Sequence, residues 1–300
     1  MKHIIALSLF IVFTLASTAQ TYDLKLNLKK GQHYKQSMIM DMDMNQSIAG
    51  QEMKVGTKMQ FEFTQTVKSI TSKGDFEIES EYSRVAMDMD AMGQQMSYDS
   101  NVKDTTDNEF SKTFSKSFGK ILGKKFTIVL TPKGKVVEIK GFKELIEALE
   151  KGKMDASTKK LIEGTFDEHK MTSSFESSYH MLPDNPVKIG DSWAQKKSVE
   201  SMFPIDISTT YTLKEVNNGI AKIMVKGDFT IKKDDYEANG MTMKINFTGG
   251  YDGFYDLDIN TGISNSAQIN MPMKGTMEVM GMEVPVIVKS TVSTTNISQD

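Results

Sequence analysis

Cysteine is absent from the 300 residues. That excludes disulfide staples, thiol nucleophiles and thiolate metal sites, and a chain of this length can bury an adequate core without staples. Arginine is nearly absent as well: Arg84 is the only one, so almost all positive charge is lysine. Nucleic acid, which calls for arginine forks and basic stripes, is not an expected partner. Histidine occurs four times and tryptophan once, at Trp193. His33, His169 and His180 stand in no catalytic or metal-binding motif, and there is no Gly-x-Ser-x-Gly elbow or glycine-rich phosphate loop. The expectation is a protein without enzymatic activity and without a cofactor.

Long apolar runs are scarce too. One, Ile4–Leu15, follows the basic Lys2 and precedes the small residues Ala16-Ser17-Thr18-Ala19. Residues 1–19 therefore have the pattern of a signal peptide cut after Ala19, and the mature chain is expected in the periplasm or outside the cell. The run is too short to span a bilayer, and no later stretch approaches the ~20 apolar residues a transmembrane helix needs. No cysteine follows the signal to accept a lipid anchor. Charge is close to balance, 36 Lys+Arg against 39 Asp+Glu, which gives no basis for electrostatic membrane docking.

What the chain has in abundance is methionine, 23 residues of it. Residues 38–45 run MIMDMDMN, placing Met38, Met40, Met42 and Met44 on alternate positions with Ile39, Asp41, Asp43 and Asn45 between them. In a strand the four thioethers share one face and the acids share the other. Met-x-Met recurs at 87–89, 241–243, 271–273 and 280–282. Three roles compete. Thioethers are soft ligands that select Cu(I), but residues two apart on one strand are spaced about 6.5–7 Å, so chelation would recruit a neighbouring strand. Methionine is also pliable and suits surfaces that accept varied apolar ligands. Its commonest role is plain core.

The chain divides into three stretches inside one β-rich domain spanning 20–300. Residues 20–106 alternate in short runs broken by glycine: Tyr22–Leu28, the methionine run, Lys58–Ile70 and Phe76–Tyr82. Residues 107–182 carry helical signals, with Phe110, Phe114 and Phe118 on one helix face, then Phe142, Leu145, Ile146 and Leu149 after Gly141. Ser157–His180 has a helical pattern, ended by Pro183 and Pro186. Within this insert, Lys125–Leu130 and Val136–Ile139 flank Pro132-Lys133-Gly134 as a hairpin. Residues 183–300 return to strands. Gly31-Gln32-His33-Tyr34 and Gly190-Asp191-Ser192-Trp193 open the two strand sets alike, a sign of loose internal duplication. The fold class expected is α+β: a large curled antiparallel sheet of ten to twelve strands, half-barrel or open barrel, with helices from the middle segment packed on one face.

Asn185-Pro186-Val187-Lys188-Ile189-Gly190-Asp191-Ser192-Trp193, together with Tyr22-Asp23-Leu24-Lys25-Leu26-Asn27-Leu28-Lys29-Lys30-Gly31, resembles an uncharacterised family of exported proteins from Bacteroidota. The resemblance implies an exported domain and no catalytic residue. In outline the architecture is similar to the half-barrels of periplasmic lipoprotein carriers. Asp104-Thr105-Thr106 resembles the short O-glycosylation acceptor of such proteins.

The paired acids Asp41/Asp43 and Asp88/Asp90 alternate with methionine and are expected in solvent, and Asp252, Asp256 and Asp258 lack calcium-loop spacing. The reading that follows is a non-enzymatic exported binding protein for an apolar ligand such as a lipid. Met38, Met40, Met42 and Met44 would line its site and Phe110, Phe114 and Phe118 would cover it. The alternatives are a methionine-based Cu(I) protein and a structural or interaction module of the cell envelope. The sequence names no protein partner.

Overall fold

Alternating apolar and polar side chains carry most of the chain into strands, and tight turns fold those strands back on one another. The structure, a computed structural model, describes residues 20–48, 50–102, 112, 114–115, 118–144, 147, 172, 175–176, 179, 181–200, 204–238, 241–279 and 281–299. The signal-like residues 1–19, Thr105, Phe110, His169 and His180 lie outside them. The strands are β1 Thr21–Tyr22, β2 His33–Ile48, β3 Gln51–Ile70, β4 Phe76–Ala91, β5 Gln94–Asp99, β6 Lys125–Leu130 and β7 Val136–Lys140. They continue with β8 Val187–Lys188, β9 Ser192–Glu200, β10 Pro204–Asn217, β11 Ile220–Ala238, β12 Met241–Asp258, β13 Ser264–Val279 and β14 Met282–Ser298.

β1 and β8 pair with each other; the other strands form one 12-stranded sheet in the order β7-β6-β4-β3-β2-β14-β13-β12-β11-β10-β9, with β5 also on β4. Every ladder is antiparallel. Gly50, Gly93 and Gly281 make the hairpin turns with φ of 81°, 83° and 76°, a backbone that side chains resist. The sheet is open: its ends, β7 and β9, do not pair with each other.

The α+β expectation is wrong in its helical half. Among the described residues strands make up 71% and helix 6%, and no helical layer packs on a face of the sheet. The middle stretch instead supplies two strands, β6 and β7, that extend the sheet beyond β4. The phenylalanines on its described helical residues, Phe114, Phe118, Phe142 and Phe175, are buried in the sheet's own core. Helical spacing of a few phenylalanines reports a shared buried direction, which a few turns satisfy as well as a long helix.

The two strand sets begin alike. Gly31 N–H donates to the Val67 carbonyl and Val67 N–H to that of Gln32; Gly190 N–H donates to the Leu213 carbonyl and Leu213 N–H to that of Asp191. Within the large sheet the halves meet along the ladder of β2 with β14, from Tyr34↔Ser298 to Gln46↔Val286.

Tyr22–Leu28 is not the ladder strand its alternation suggested. After β1 the segment Asp23–Lys30 runs as an extended strap, with Leu24, Leu26 and Leu28 buried to 1–3% exposure. Leu26 N–H bonds the Pro132 carbonyl in the β6–β7 turn (2.7 Å), and the adjacent Asn27 N–H bonds Thr261 in the β12–β13 turn (2.9 Å). β6 and β12 are six strand steps apart in the sheet, about 29 Å if it were flat at ~4.8 Å per step. Consecutive residues bridging both turns require the sheet to curl into a trough, pinched at this end. Register shifts at Glu62/Phe63, Val67/Ser69 and Asp256/Leu257 are bulges that help bend the strands.

The inner face holds two apolar clusters. The larger, under the strap, includes Val67, Ile78, Tyr82, Phe126, Ile128, Leu213, Ile223 and Leu257. The smaller lies further along the strands, with Ile231, Ile245, Phe247, Val284, Val286 and Val288 and with Met42, Met44 and Met273 packed against it.

Candidate functional site

In an antiparallel sheet, residues opposite one another in register point to the same face. The ladders align the methionines of separate strands into rows. One row runs Trp193, Tyr211, Val225, Gly253, Ile269, Val292, Met40, Met59, Met87, Tyr98. The next includes Met271, Ser290, Met42, Thr57, Met89 and Met96. A third joins Phe229, Gly249, Met273, Val288, Met44 and Val55. Met38 sits in a row with Phe61, Val85 and Thr294. Met38, Met40, Met42 and Met44 are all partly buried, whereas Asp41, Asp43, Asp88 and Asp90 are exposed on the other face.

Phe114 and Phe118 stack at 4.2 Å between ring centroids, and Phe114 lies 5.1 Å from Tyr98, at the end of the Met40–Met59–Met87 row. The structure thus brings two of the three predicted phenylalanines beside the methionine rows; the third, Phe110, is outside the described residues. Met59, Met87, Met89, Met96, Met271 and Met273 were not among the site residues expected from the sequence. Met-x-Met repeats hinted at some of them, but register alone makes them neighbours.

Aromatic and hydroxyl groups line the β9–β12 end of the same face. Trp193 stacks on Tyr211 at 5.7 Å and donates from Nε1 to the Met181 carbonyl at 2.9 Å. The Tyr251 hydroxyl hydrogen-bonds Thr209 Oγ1. Burial pushes the phenols up: Tyr255 to about 12, with Tyr251 and Tyr211 also raised, so all three stay neutral donors at physiological pH. The opposite face is polar. There a shallow depression of about 590 Å³ is lined by residues including Ser208, Thr210, Lys226, Asp228 and Asp252.

The rest of the ionic chemistry is structural. Arg84 clasps both Asp99 oxygens at 3.0 and 2.6 Å and one Glu62 oxygen at 3.1 Å, while Lys35 reaches the other Glu62 oxygen at 2.7 Å. His33 Nδ1 lies 3.0 Å from Thr66 Oγ1 at the exposed start of β2. Asp258 caps the Asn260 backbone N–H at 2.8 Å, and Asp256 accepts from Ser266 at 2.9 Å. Among the described residues no group of three or more His, Cys, Asp or Glu side chains could hold a metal ion.

A family model, described as a family of unknown function (DUF6263), matches residues 73–264, well over half the chain. The chain belongs to this family. No curated protein matches its sequence. Among solved structures, lipovitellin, in a structure described for its lipid–protein interactions, superposes with a TM-score of 0.52 at 8% identity. The match covers 90% of this chain and 25% of the lipovitellin chain, so the likeness is one of fold to a part of a larger protein. An outer membrane channel from Pseudomonas putida F1 gives a TM-score of 0.23 at 7% identity over 91% of this chain and 97% of that one. An outer membrane lipoprotein-sorting protein domain from Vibrio parahaemolyticus gives 0.15 at 8% identity, over 88% and 85%. Scores that low carry no weight. No helix among the described residues is long and apolar enough to cross a membrane.

Proposed function

We propose that the chain is a non-enzymatic, exported binding protein whose trough holds an apolar ligand, a lipid or acyl chain, against the methionine rows. One observation carries this reading. Methionines from β2, β3, β4, β5 and β13 converge on one face of an open sheet, and apart from the buried Met87 those of the rows stay partly buried there. Unbranched thioether side chains reshape around guests of different form at little cost, which suits an acyl chain. The shared fold with part of lipovitellin, a protein described through its lipid contacts, supports the same reading. Phe114 and Phe118 would shield the Tyr98 end of the bound chain.

Displacement of a fluorescent acyl probe tests the proposal. Wild-type protein is expected to bind C12–C18 chains and to carry lipid detectable by mass spectrometry after gentle purification. Replacing Met42 and Met89 by Asp should weaken probe binding at least tenfold while the circular dichroism spectrum is retained. Failure of the wild-type protein to bind any of these chains overturns the reading.

The register favours one second reading. Met40, Met59 and Met87 stand side by side on three adjacent strands, the cross-strand arrangement that Cu(I) thioether ligation requires. Anaerobic Cu(I) titration of the wild type and of the triple Met→Leu variant decides it: equal uptake by both removes the metal reading.

A further inference from the structure

The apolar lining leaves one group of polar atoms on the inner face unexplained. Gln195 on β9 lies opposite Thr209 on β10; Thr209 lies opposite Gly227 on β11, and Gly227 opposite Tyr251 on β12. A Cβ at Gly227 would stand 2.5 Å from the Tyr251 ring, so glycine there leaves room for the ring to lie across β11. The Tyr251 hydroxyl thereby reaches Thr209, which is only 3% exposed. Gln195 donates from Nε2 to the Leu182 carbonyl at 3.4 Å. Its Oε1 is buried and has no hydrogen-bond partner among the described residues. An acceptor stripped of water and left unpaired is costly, and such an atom beside a binding face is best explained by a donor that arrives with the ligand.

The surroundings restrict what that ligand end can be. The flanking rows present Trp193, Tyr211 and Val225 on one side and Lys197, Ile207, Phe229 and Gly249 on the other. Lys226, Asp228 and Asp252 belong to the rows of the opposite face. An ionised carboxylate or phosphate oxygen has no proton to donate to Gln195 Oε1 and would leave it unpaired. A hydroxyl fits both needs: it donates to Gln195 Oε1 and accepts from the Thr209–Tyr251 pair.

We infer that Gln195, Thr209 and Tyr251 form the headgroup subsite of the lipid site and select a hydroxyl-bearing head, as in a fatty alcohol or a monoacylglycerol. This inference rests on the proposed lipid-binding function. The acyl chain of such a ligand runs from this subsite along the methionine rows of β13, β14 and β2.

Three ligands of one chain length, displacing the same fluorescent acyl probe, make the test: 1-monomyristoylglycerol, methyl myristate and myristate at pH 8. The wild type should bind the monoacylglycerol at least tenfold more tightly than the other two. Gln195→Leu and Tyr251→Phe should each reduce monoacylglycerol binding to the level of the methyl ester and leave the ester unchanged. Tyr251→Phe keeps the ring over Gly227, so it decides the matter if Gln195→Leu does not fold. Equal binding of the three ligands by the wild type, or a preference that survives Tyr251→Phe, overturns the headgroup subsite while leaving the lipid reading standing. Binding of none of the three overturns the lipid reading itself.

Discussion

Gly262, with φ of +73°, sits where the strap crosses the β12–β13 turn, and a Cβ there would lie 2.1 Å from the Lys25 carbonyl oxygen. Backbone cannot yield as a flexible side chain can. Gly262→Ala is expected to lose about 2–4 kcal/mol, from left-handed backbone strain plus overpacking, in urea denaturation. At this scale the sequence revealed which side chains face solvent better than which meet. The acids at 41, 43, 88 and 90 were placed correctly by alternation, and Trp193 by its position after a turn. Gln195, Thr209 and Tyr251 carry no shared motif. Only the pairing of β9 through β12 brings them together, and nothing local to any of them encodes that pairing.

The strap shows the same limit for a whole element. Its alternation, Leu24, Leu26, Leu28 against Lys25, Asn27 and Lys29, correctly marks one buried side. Alternation does not say whether the backbone will find a strand partner. Here it finds two turns instead, and Lys133 adds bonds to Asp23 at 3.0 Å and to the Leu24 carbonyl at 3.1 Å. Leu26→Ala should cost about 2–5 kcal/mol, the range for a buried leucine truncated in a core. Hydrogen exchange offers a sharper check: the Leu26 and Asn27 amides should be protected in the wild type and exchange faster in the variant. Loss of stability with unchanged protection of both amides would mean that the strap stays docked without its leucines. The middle segment misled for a related reason. The β6–β7 hairpin was legible from Pro132-Lys133-Gly134, but a three-phenylalanine stripe is too short to separate a helix layer from side chains that dip into a sheet's core.

Across the whole molecule, ionisable groups set the pH range of the fold. Lys35 chiefly, with Arg84, holds Glu62 below the usual carboxylate range, and Arg84 does the same for Asp99. Groups whose pKa falls on folding stabilise the fold above about pH 4, and that contribution is lost as pH drops through their lowered values. The buried tyrosines act at the other limit. Above about pH 10 the unfolded chain releases phenolic protons that the folded chain keeps, so stability declines as pH rises. Urea midpoints measured from pH 2.5 to 11 should form a plateau that falls at both ends. Arg84→Met should lower the plateau and soften its acid limb; an unchanged acid limb would show that the Arg84 pairs do not shape it. Curling, the central seam and the far-apart partners of the strap were not legible, because each is a relation between segments that the sequence lists hundreds of positions apart. The β2–β14 seam also has a consequence for synthesis. A ribosome releases β2 early, yet its neighbour on one side is the last of the described strands, 17 residues that end at Ser298. Until those residues emerge, a nascent chain with β2 to β7 already assembled exposes one long bare edge, and a cell that makes this protein must keep that edge from finding another copy of itself.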